Sequence, residues 1–205
     1  MRLGGGRSGT IVLKTHRLSI RDLLKPFDLE VRFGQRVAIV GPNGSGKNHF
    51  LRLLAGLPGH YGGEFVLGAR VNVGYFSQTY DKPQLVGKTV MDMCQNTGLD
   101  RGAAMSALRR YELDRRWDVA YDKLSGGQQA RLQILLLELG GSTLLALDEP
   151  TDNLDVASAE ALERALAAYE GTVVAVSHDR WFLHSFDRFI EFGRDGKVAE
   201  LLHAA

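Results

Sequence analysis

The sequence predicts an α/β fold with a mixed sheet core, and three observations lead to this prediction. Short apolar runs, such as residues 37–40 and 172–177, have the length and composition of buried strands. Segments in which apolar residues recur at helical spacing, such as residues 47–57 and 156–169, separate these runs. Several apolar runs end in polar residues, as strands do at a ligand-binding sheet edge. We therefore expect a mainly parallel sheet covered by helices on both faces.

The elements are predicted in order along the chain. In the first half we expect a helix at residues 47–57 and strands at residues 10–14, 28–33, 35–40, 64–67 and 70–76. The spacing from residue 86 to residue 121 is helical, which predicts a small helical subdomain at about residues 85–123. In the second half we expect helices at residues 126–139, 156–169 and 180–186, and strands at residues 143–147, 172–177, 187–192 and 197–202.

Length, charge and cysteine content limit the classes of function. The 205 residues fit one domain at residues 10–205, preceded at residues 1–9 by a glycine-rich flexible lead-in or linker remnant. The 25 basic and 24 acidic residues give a net charge of +1, so bulk charge does not favour nucleic acid or an anionic membrane. The single cysteine, Cys94, excludes an internal disulfide. Because there is no secretory signal and no apolar run of about 18 residues, we expect a cytoplasmic protein.

A glycine-rich loop with the spacing G-x-x-x-x-G-K follows the apolar strand at residues 35–40 and opens a helix. Its residues are Gly41, Pro42, Asn43, Gly44, Ser45, Gly46, Lys47 and Asn48. Glycines allow backbone N–H groups to turn inward around phosphate oxygens, and the helix N-terminus adds partial positive charge. Lys47 would reach the β- and γ-phosphates. The loop predicts nucleotide binding, and the alternative is a plain turn between strand and helix.

Residue 48 departs from the usual pattern of such loops. A Ser or Thr hydroxyl normally stands there and coordinates Mg²⁺, whereas this chain has Asn48. The amide oxygen of Asn48 is a possible metal ligand, but it lies one bond further from the backbone. Since Mg²⁺ requires near-ideal octahedral geometry, we expect nucleotide binding to survive and hydrolysis to be slowed.

Polar side chains at three further strand ends complete the candidate site. Asp148 and Glu149 follow the strand at residues 143–147, where Asp148 suits a Mg²⁺ ligand and Glu149 a base that polarises the attacking water. A solvated acidic loop is the alternative. His178 follows the next apolar strand and would contact the γ-phosphate, unless it is only structural. Gln78 follows the strand at residues 70–76 and is weak evidence on its own.

The stretch Ser125, Gly126, Gly127 and Gln128 resembles the signature motif of ATP-binding cassette (ABC) proteins. The resemblance covers residues 10–202 and implies a P-loop NTPase fold of the ABC nucleotide-binding type, with ATP and Mg²⁺ as cofactors. It implies that two cassettes pair head to tail, each ATP lying between the phosphate loop of one and the signature of the other. It further implies Gln78 as a nucleotide and metal contact, Asp155 in the D-loop, and catalytic roles for Lys47, Glu149 and His178.

Within this family the sequences of residues 73–78, 148–155 and 176–183 are similar to those of the ABC-F branch. That branch carries two cassettes in one chain and acts on ribosomes, and this chain looks like a second cassette. The resemblance implies a second cassette as partner, in the same chain or as a homodimer, and the ribosome, with a role in translation or antibiotic resistance. The alternatives are the ATPase subunit of a transporter, with membrane subunits as partners, and an ATP-gated interaction module with little turnover. The family's upstream adenine-stacking aromatic is missing, which leaves His16 or apolar contact.

Overall fold

A computed structural model describes residues 10–20, 22–77 and 85–201 of the chain. The predicted lead-in at residues 1–9, together with Gln78 and Leu202, lies outside the described residues. The strands are β1 (Ile11–Ile20), β2 (Leu24–Arg32), β3 (Arg36–Val40), β4 (Tyr61–Leu67), β5 (Val73–Ser77), β6 (Leu144–Asp148), β7 (Thr172–Val176), β8 (Arg188–Phe192) and β9 (Val198–Leu201). The helices are α1 (Lys47–Leu54), α2 (Val90–Gln95), α3 (Arg101–Arg110), α4 (Gly126–Leu139), α5 (Val156–Ala167) and α6 (Arg180–Leu183).

The central sheet has six strands in the order β5-β6-β7-β3-β8-β9. The first five are parallel, and β9 pairs antiparallel with β8 at the edge. Strands β6 and β7 are buried along their whole length, as their continuous apolar sequences predict. The mixed, mainly parallel sheet is therefore confirmed, and the carboxyl ends of β3, β6 and β7 lie at one edge.

Side-chain alternation along the central strands divides the core between two faces. On β3, Val37 and Ile39 pack on one face with α1, β1 and β2, whereas Ala38 packs on the other face with α4 and α5. This alternation follows from the period of two in a strand, and it explains why both faces need a covering layer.

A second, antiparallel sheet in the order β2-β1-β4 covers one face of the core, and the sequence did not predict it. The strand expected at residues 10–14 in fact runs to Ile20. Its second half was not predicted, because register shifts after Thr15 and a positive φ at Arg17 break the alternation of side chains. The strand expected to start at residue 28 begins earlier, at Leu24. Pro26 is tolerated there because β2 is an edge strand.

Other predicted boundaries also change. The strand expected at residues 70–76 begins only at Val73, since Arg70 has a φ of 66° and lies in a turn. The strand expected at residues 64–67 begins earlier, at Tyr61. The sequence did not show this start, because Gly62 and Gly63 interrupt the strand pattern. The helices expected to end at residues 57, 169 and 186 end two or three residues sooner. The helix Gly126–Leu139 is confirmed.

Between β5 and α4 the described chain is helical, as predicted. It contains α2, α3 and two short 3-10 helices at Asp114–Arg116 and Tyr121–Lys123. Thr89 and Asp100 cap α2 and α3 by accepting backbone hydrogen bonds. Cys94 is buried there, and burial raises the pKa of its thiol to about 11. That these helices form a separate subdomain stays a prediction, because their apolar side chains share one core with α4 and the sheet.

In the described parts of the chain no helix is both long and apolar enough to cross a bilayer.

Three phenylalanines hold α1 against the middle of β2 and the end of β8. The ring centroids of Phe27, Phe50 and Phe192 lie 5.6 to 6.1 Å apart, and Phe50 is fully buried. We expect Phe50→Ala to lower the free energy of unfolding by about 3–5 kcal/mol, since it leaves a cavity in this cluster. Urea denaturation measures the change. Val66→Ala, at an exposed apolar residue, is the control and should change stability by less than about 0.5 kcal/mol; equal losses would contradict the packing role.

Candidate functional site

The phosphate loop connects β3 to α1, as the sequence predicts. Gly41 has a φ of 135°, and a Cβ atom there would lie 2.3 Å from the carbonyl oxygen of Phe192, so no side chain fits. Gly46 is the N-cap residue of α1 with a φ of 100°, and it offers no side-chain acceptor to the first helical turn. The backbone N–H groups of that turn therefore remain available to an anion.

Two polar side chains of the loop are buried. Ser45 Oγ is buried and has no hydrogen-bond partner among the described residues. The Lys47 ammonium donates to the carbonyl oxygens of Gly41, at 2.7 Å, and Pro42, at 3.0 Å. Burial lowers the pKa of Lys47, and the charges of Glu149 and Asp148 oppose this. A buried hydroxyl without a partner and a buried ammonium both suit a phosphate group at this loop.

Asp148 ends β6 at the same sheet edge. Its Oδ2 atom accepts hydrogen bonds from Asn48 Nδ2, at 3.1 Å, and from the Tyr75 hydroxyl, at 3.2 Å. Its Oδ1 atom is buried and has no partner among the described residues. Burial raises the pKa of this carboxyl group. An unpartnered buried carboxylate oxygen is what a Mg²⁺ ion or its water needs, so the residues present fit that ion.

The contact between Asn48 and Asp148 bears on the expected role of Asn48 as a metal ligand. The amide nitrogen, not the oxygen, faces Asp148, so Asn48 acts as a hydrogen-bond donor to the carboxylate.

Tyr75 was missed by the sequence interpretation, although it stands two residues before the end of β5 and therefore on the same face as Ser77, which pairs with Asp148. Burial and the charge of Asp148 raise the pKa of Tyr75, so it stays a donor.

Glu149 and His178 meet across the ends of β6 and β7. Glu149 has a φ of 45°, which turns the chain sharply after the strand, and its backbone N–H donates to the Val176 carbonyl at 2.9 Å. Glu149 Oε1 lies 3.3 Å from His178 Nε2, and Oε2 accepts the His178 backbone N–H at 3.2 Å. Burial raises the pKa of Glu149, which makes it a stronger base, and the nearby His178 opposes the shift.

A cavity of about 640 Å³ lies over the phosphate loop. It is lined by Pro42, Asn43, Gly44, Ser45, His178 and Arg194. Arg194 belongs to the turn between β8 and β9, and no sequence motif points to it. A second cavity, of about 540 Å³, borders Ile20, Leu23, Asn48 and His49 among others. His16 lines neither cavity and instead lies 3.3 Å from Asp28.

The predicted signature packs against the helix that begins directly after the predicted D-loop residue Asp155. Ser125 is the N-cap of α4 and forms a reciprocal capping box with Gln128, while Gly126 is the first residue of the helix. A Cβ atom at Gly127 would lie 2.3 Å from the Ser158 side chain in α5. Asp155 caps α5 by accepting the Ser158 N–H at 2.7 Å. Within the described chain, none of these residues lines the cavity over the phosphate loop.

Arg131 links α4 to the helical segment, and the sequence interpretation missed it. This buried side chain donates to the carbonyl oxygens of Tyr111, at 2.9 Å, and Gly127, at 3.3 Å, and lies 3.4 Å from Glu112. Burial lowers its pKa, and the Glu112 charge opposes this. No charge pattern in the sequence distinguishes Arg131 from the exposed arginines.

A phosphate loop between a parallel strand and a helix, facing carboxylates at neighbouring strand ends, defines a P-loop nucleotide-binding domain. The sequence model of the family described as "ABC transporter" matches residues 24–152, which is more than half of the chain. The chain therefore belongs to the ABC transporter family.

Its relatives include ABC-F proteins. The chain is 48% identical, over 98% of its length, to an antibiotic resistance protein of Mycobacteroides abscessus, of which it covers 40%. It is 40% identical, over 87% of its length, to ABC transporter F family member 2 of Arabidopsis thaliana, of which it covers 27%. It is 35% identical, over 80% of its length, to the ribosome protection protein VmlR of Bacillus subtilis, of which it covers 30%. The chain thus spans well under half of each relative.

The fold is also shared with solved structures. An ATP-bound bacterial exporter of the Atm1 family matches 95% of this chain, with a TM-score of 0.77 and 21% identity, and the chain covers 39% of that exporter. At this identity the match concerns the fold alone.

The close packing of Gly127 on Ser158 gives a testable prediction. We expect Gly127→Ala to lower the free energy of unfolding by about 1–3 kcal/mol, because the new methyl group overlaps the Ser158 side chain. Thermal and urea unfolding measure the loss.

Substitutions at Ser158 separate this overlap from the general effect of replacing a glycine within a helix. The loss caused by Gly127→Ala should shrink in a Ser158→Gly background and persist in a Ser158→Ala background, where the Cβ atom remains. The same loss in both backgrounds would contradict the steric explanation.

Proposed function

We propose that this chain is an ATPase cassette that binds Mg-ATP at its phosphate loop and closes head to tail on a second cassette. The observation that carries the proposal is that two buried oxygens, Ser45 Oγ and Asp148 Oδ1, have no partner among the described residues, at the edge that also holds Lys47 and Glu149. Burying polar atoms without partners is costly, and a phosphate and a hydrated cation would satisfy them together.

Each group of the site has a proposed role. Lys47 binds the phosphates, Glu149 accepts a proton from the attacking water, and His178 orients Glu149 through their 3.3 Å contact. Asp148 holds Mg²⁺ directly or through water, with Asn48 beside it, and we propose Gln78 as a further contact. When bound, the ion would offset charge on the β- and γ-phosphates.

The second half of each site comes from the partner cassette. We propose that Ser125–Gln128 and Asp155 face the nucleotide of the partner, because they do not line the cavity over their own phosphate loop. Helix α4 supports this role, since its N-terminus opens with two glycines at residues 126 and 127 and can approach an anion closely.

The adenine is proposed to rest on apolar side chains. Ile20 and Leu23 line the second cavity together with Asn48 and His49 of the phosphate-loop helix, and Leu23 also lies close to Gly46. His16 is a poorer candidate, because it lies against Asp28 and outside this cavity.

The names of the relatives favour an ABC-F role in the cytoplasm. An antibiotic resistance protein and a ribosome protection protein are among them, so we propose that this cassette is part of a protein that acts on the ribosome. The transporter alternative has weaker support, because the matched exporter shares the fold at only 21% identity.

Head-to-tail closure is testable with the chain itself. We expect Glu149→Gln to form an ATP-dependent dimer, since the variant keeps the site's shape but removes the carboxylate proposed as the base. Light scattering at high protein concentration should show the mass doubling with ATP and not without it. Ser125→Arg in the same background should prevent the doubling. A variant that binds ATP and stays monomeric at all concentrations would contradict self-association.

The Asn48–Asp148 hydrogen bond predicts slow turnover. We expect Asn48→Thr to raise the steady-state ATPase rate by roughly ten- to a hundred-fold, because it removes one of the two hydrogen bonds to Asp148 Oδ2 and supplies a short-reach hydroxyl. ATP affinity should change less, since Lys47 and the loop backbone are unaltered.

The matched control is Asn48→Ala, which removes the same hydrogen bond from Asp148 but adds no hydroxyl. Rates measured against Mg²⁺ concentration distinguish the effects: only the Thr variant should lower the Mg²⁺ requirement. If wild type equals Asn48→Thr in rate and Mg²⁺ requirement, Asn48 is a tolerated replacement and the slow-turnover alternative loses its support.

A further inference from the structure

Arg194 lines the cavity over the phosphate loop, although it lies outside every motif of the site. The cavity is shared with Asn43, Ser45 and His178, among other loop residues. The phosphate loop follows β3, and the β8–β9 turn that carries Arg194 follows the neighbouring parallel strand β8. Parallel pairing therefore puts the turn at the same edge as the loop.

The position of the turn is fixed against the loop. Gly41 and the Phe192 carbonyl approach so closely that a Cβ atom would not fit between them. The turn is closed by hydrogen bonds from Gly193 N to Lys197 O, at 2.8 Å, and from Gly196 N to Gly193 O, at 3.0 Å. Lys25 N also donates to Gly196 O at 2.8 Å, which ties the turn to β2. Arg194 therefore projects from a rigid support.

The charge of Arg194 is not used within the described residues. Its guanidinium forms no hydrogen bond or ion pair there, whereas the neighbouring Asp195 accepts from Lys197 N, at 3.0 Å, and lies 3.4 Å from Lys197 Nζ. None of the described residues that line the cavity is acidic. A cavity bordered by an arginine, a histidine and a buried unpartnered Ser45 hydroxyl suits an anion.

We propose that Arg194 is a phosphate-binding residue that contacts the terminal phosphate of ATP. The proposal rests on the nucleotide site proposed above and adds a residue to it. The guanidinium offers paired N–H donors that match two phosphate oxygens, a geometry that a lysine cannot reproduce. His178 borders the same cavity and contacts Glu149, the proposed base for attack on the terminal phosphate, so Arg194 lies on the side of the site that distinguishes ATP from ADP.

Calorimetric titration of the full chain with ATP and with ADP tests the proposal, at protein concentrations low enough to keep it monomeric. We expect Arg194→Ala to weaken ATP binding roughly three- to ten-fold and ADP binding less than about two-fold, as for a partly exposed charged hydrogen bond. Arg194→Lys should weaken ATP binding less than Arg194→Ala does, but should not keep the full wild-type affinity. Arg115→Ala removes the same charge from an exposed site in the helical segment, and it should change neither affinity.

Lys47→Ala separates failure of this proposal from failure of the nucleotide site itself. If Lys47→Ala leaves ATP affinity unchanged, the proposed nucleotide site is wrong. If Lys47→Ala weakens ATP binding and Arg194→Ala does not, only the role of Arg194 is overturned. Unchanged ATP affinity of Arg194→Ala overturns this role even if the variant impairs dimer formation. In that case the arginine would contact the partner cassette. Equal losses for ATP and ADP would overturn the assignment to the terminal phosphate.

Discussion

The parallel pairing of β8, β3, β7 and β6 is the constraint on which the site depends. Parallel strands end at a common edge, so the phosphate loop after β3 and the polar residues after β6 and β7 converge although they lie over a hundred residues apart. Interior backbone hydrogen bonds and complete burial of β6 and β7 hold this edge rigid. Every contact between Asn48, Asp148, Glu149 and His178 follows from that register.

Charge concentrates at this edge in a way that favours a ligand. Burial raises the pKa of Asp148 and Glu149 and lowers the pKa of Lys47, so each group is destabilised in its charged form. Their opposite signs offset part of that cost. The oxygens of Ser45 and Asp148 that have no partner in the described parts of the chain are not compensated in this way. A ligand that supplies phosphate oxygens and a cation would relieve them, and binding to the folded chain would then stabilise it.

Within the cassette, the predicted signature contacts the segment that follows Asp148 and Glu149. Gly127 lies directly against Ser158, and Asp155 fixes the start of the helix that carries Ser158. Arg131 joins the same signature helix to the helical segment. The segment that follows Glu149 therefore packs directly against the predicted signature at Gly127. In the proposed head-to-tail pair this contact would connect the two nucleotide sites, because each cassette would contribute to both.

The sequence by itself determined the local features of this protein. The phosphate loop, the buried strands β6 and β7, and the helix Gly126–Leu139 carry their signals in adjacent residues, through glycine spacing, continuous apolar runs and the helical spacing of apolar residues. The polar strand ends at Asp148 and His178 were readable for the same reason. The family followed from the order of these motifs.

Only the tertiary structure decided the rest. The antiparallel sheet was hidden because bulges and a proline interrupt its strand patterns. The hydrogen bonds from Asn48 and Tyr75 to Asp148 join residues from three different elements, and no local pattern records which side chains meet. Arg194 and Arg131 look like any other arginine in the sequence. Their significance comes from a cavity and a buried helix contact, which exist only once distant segments have packed.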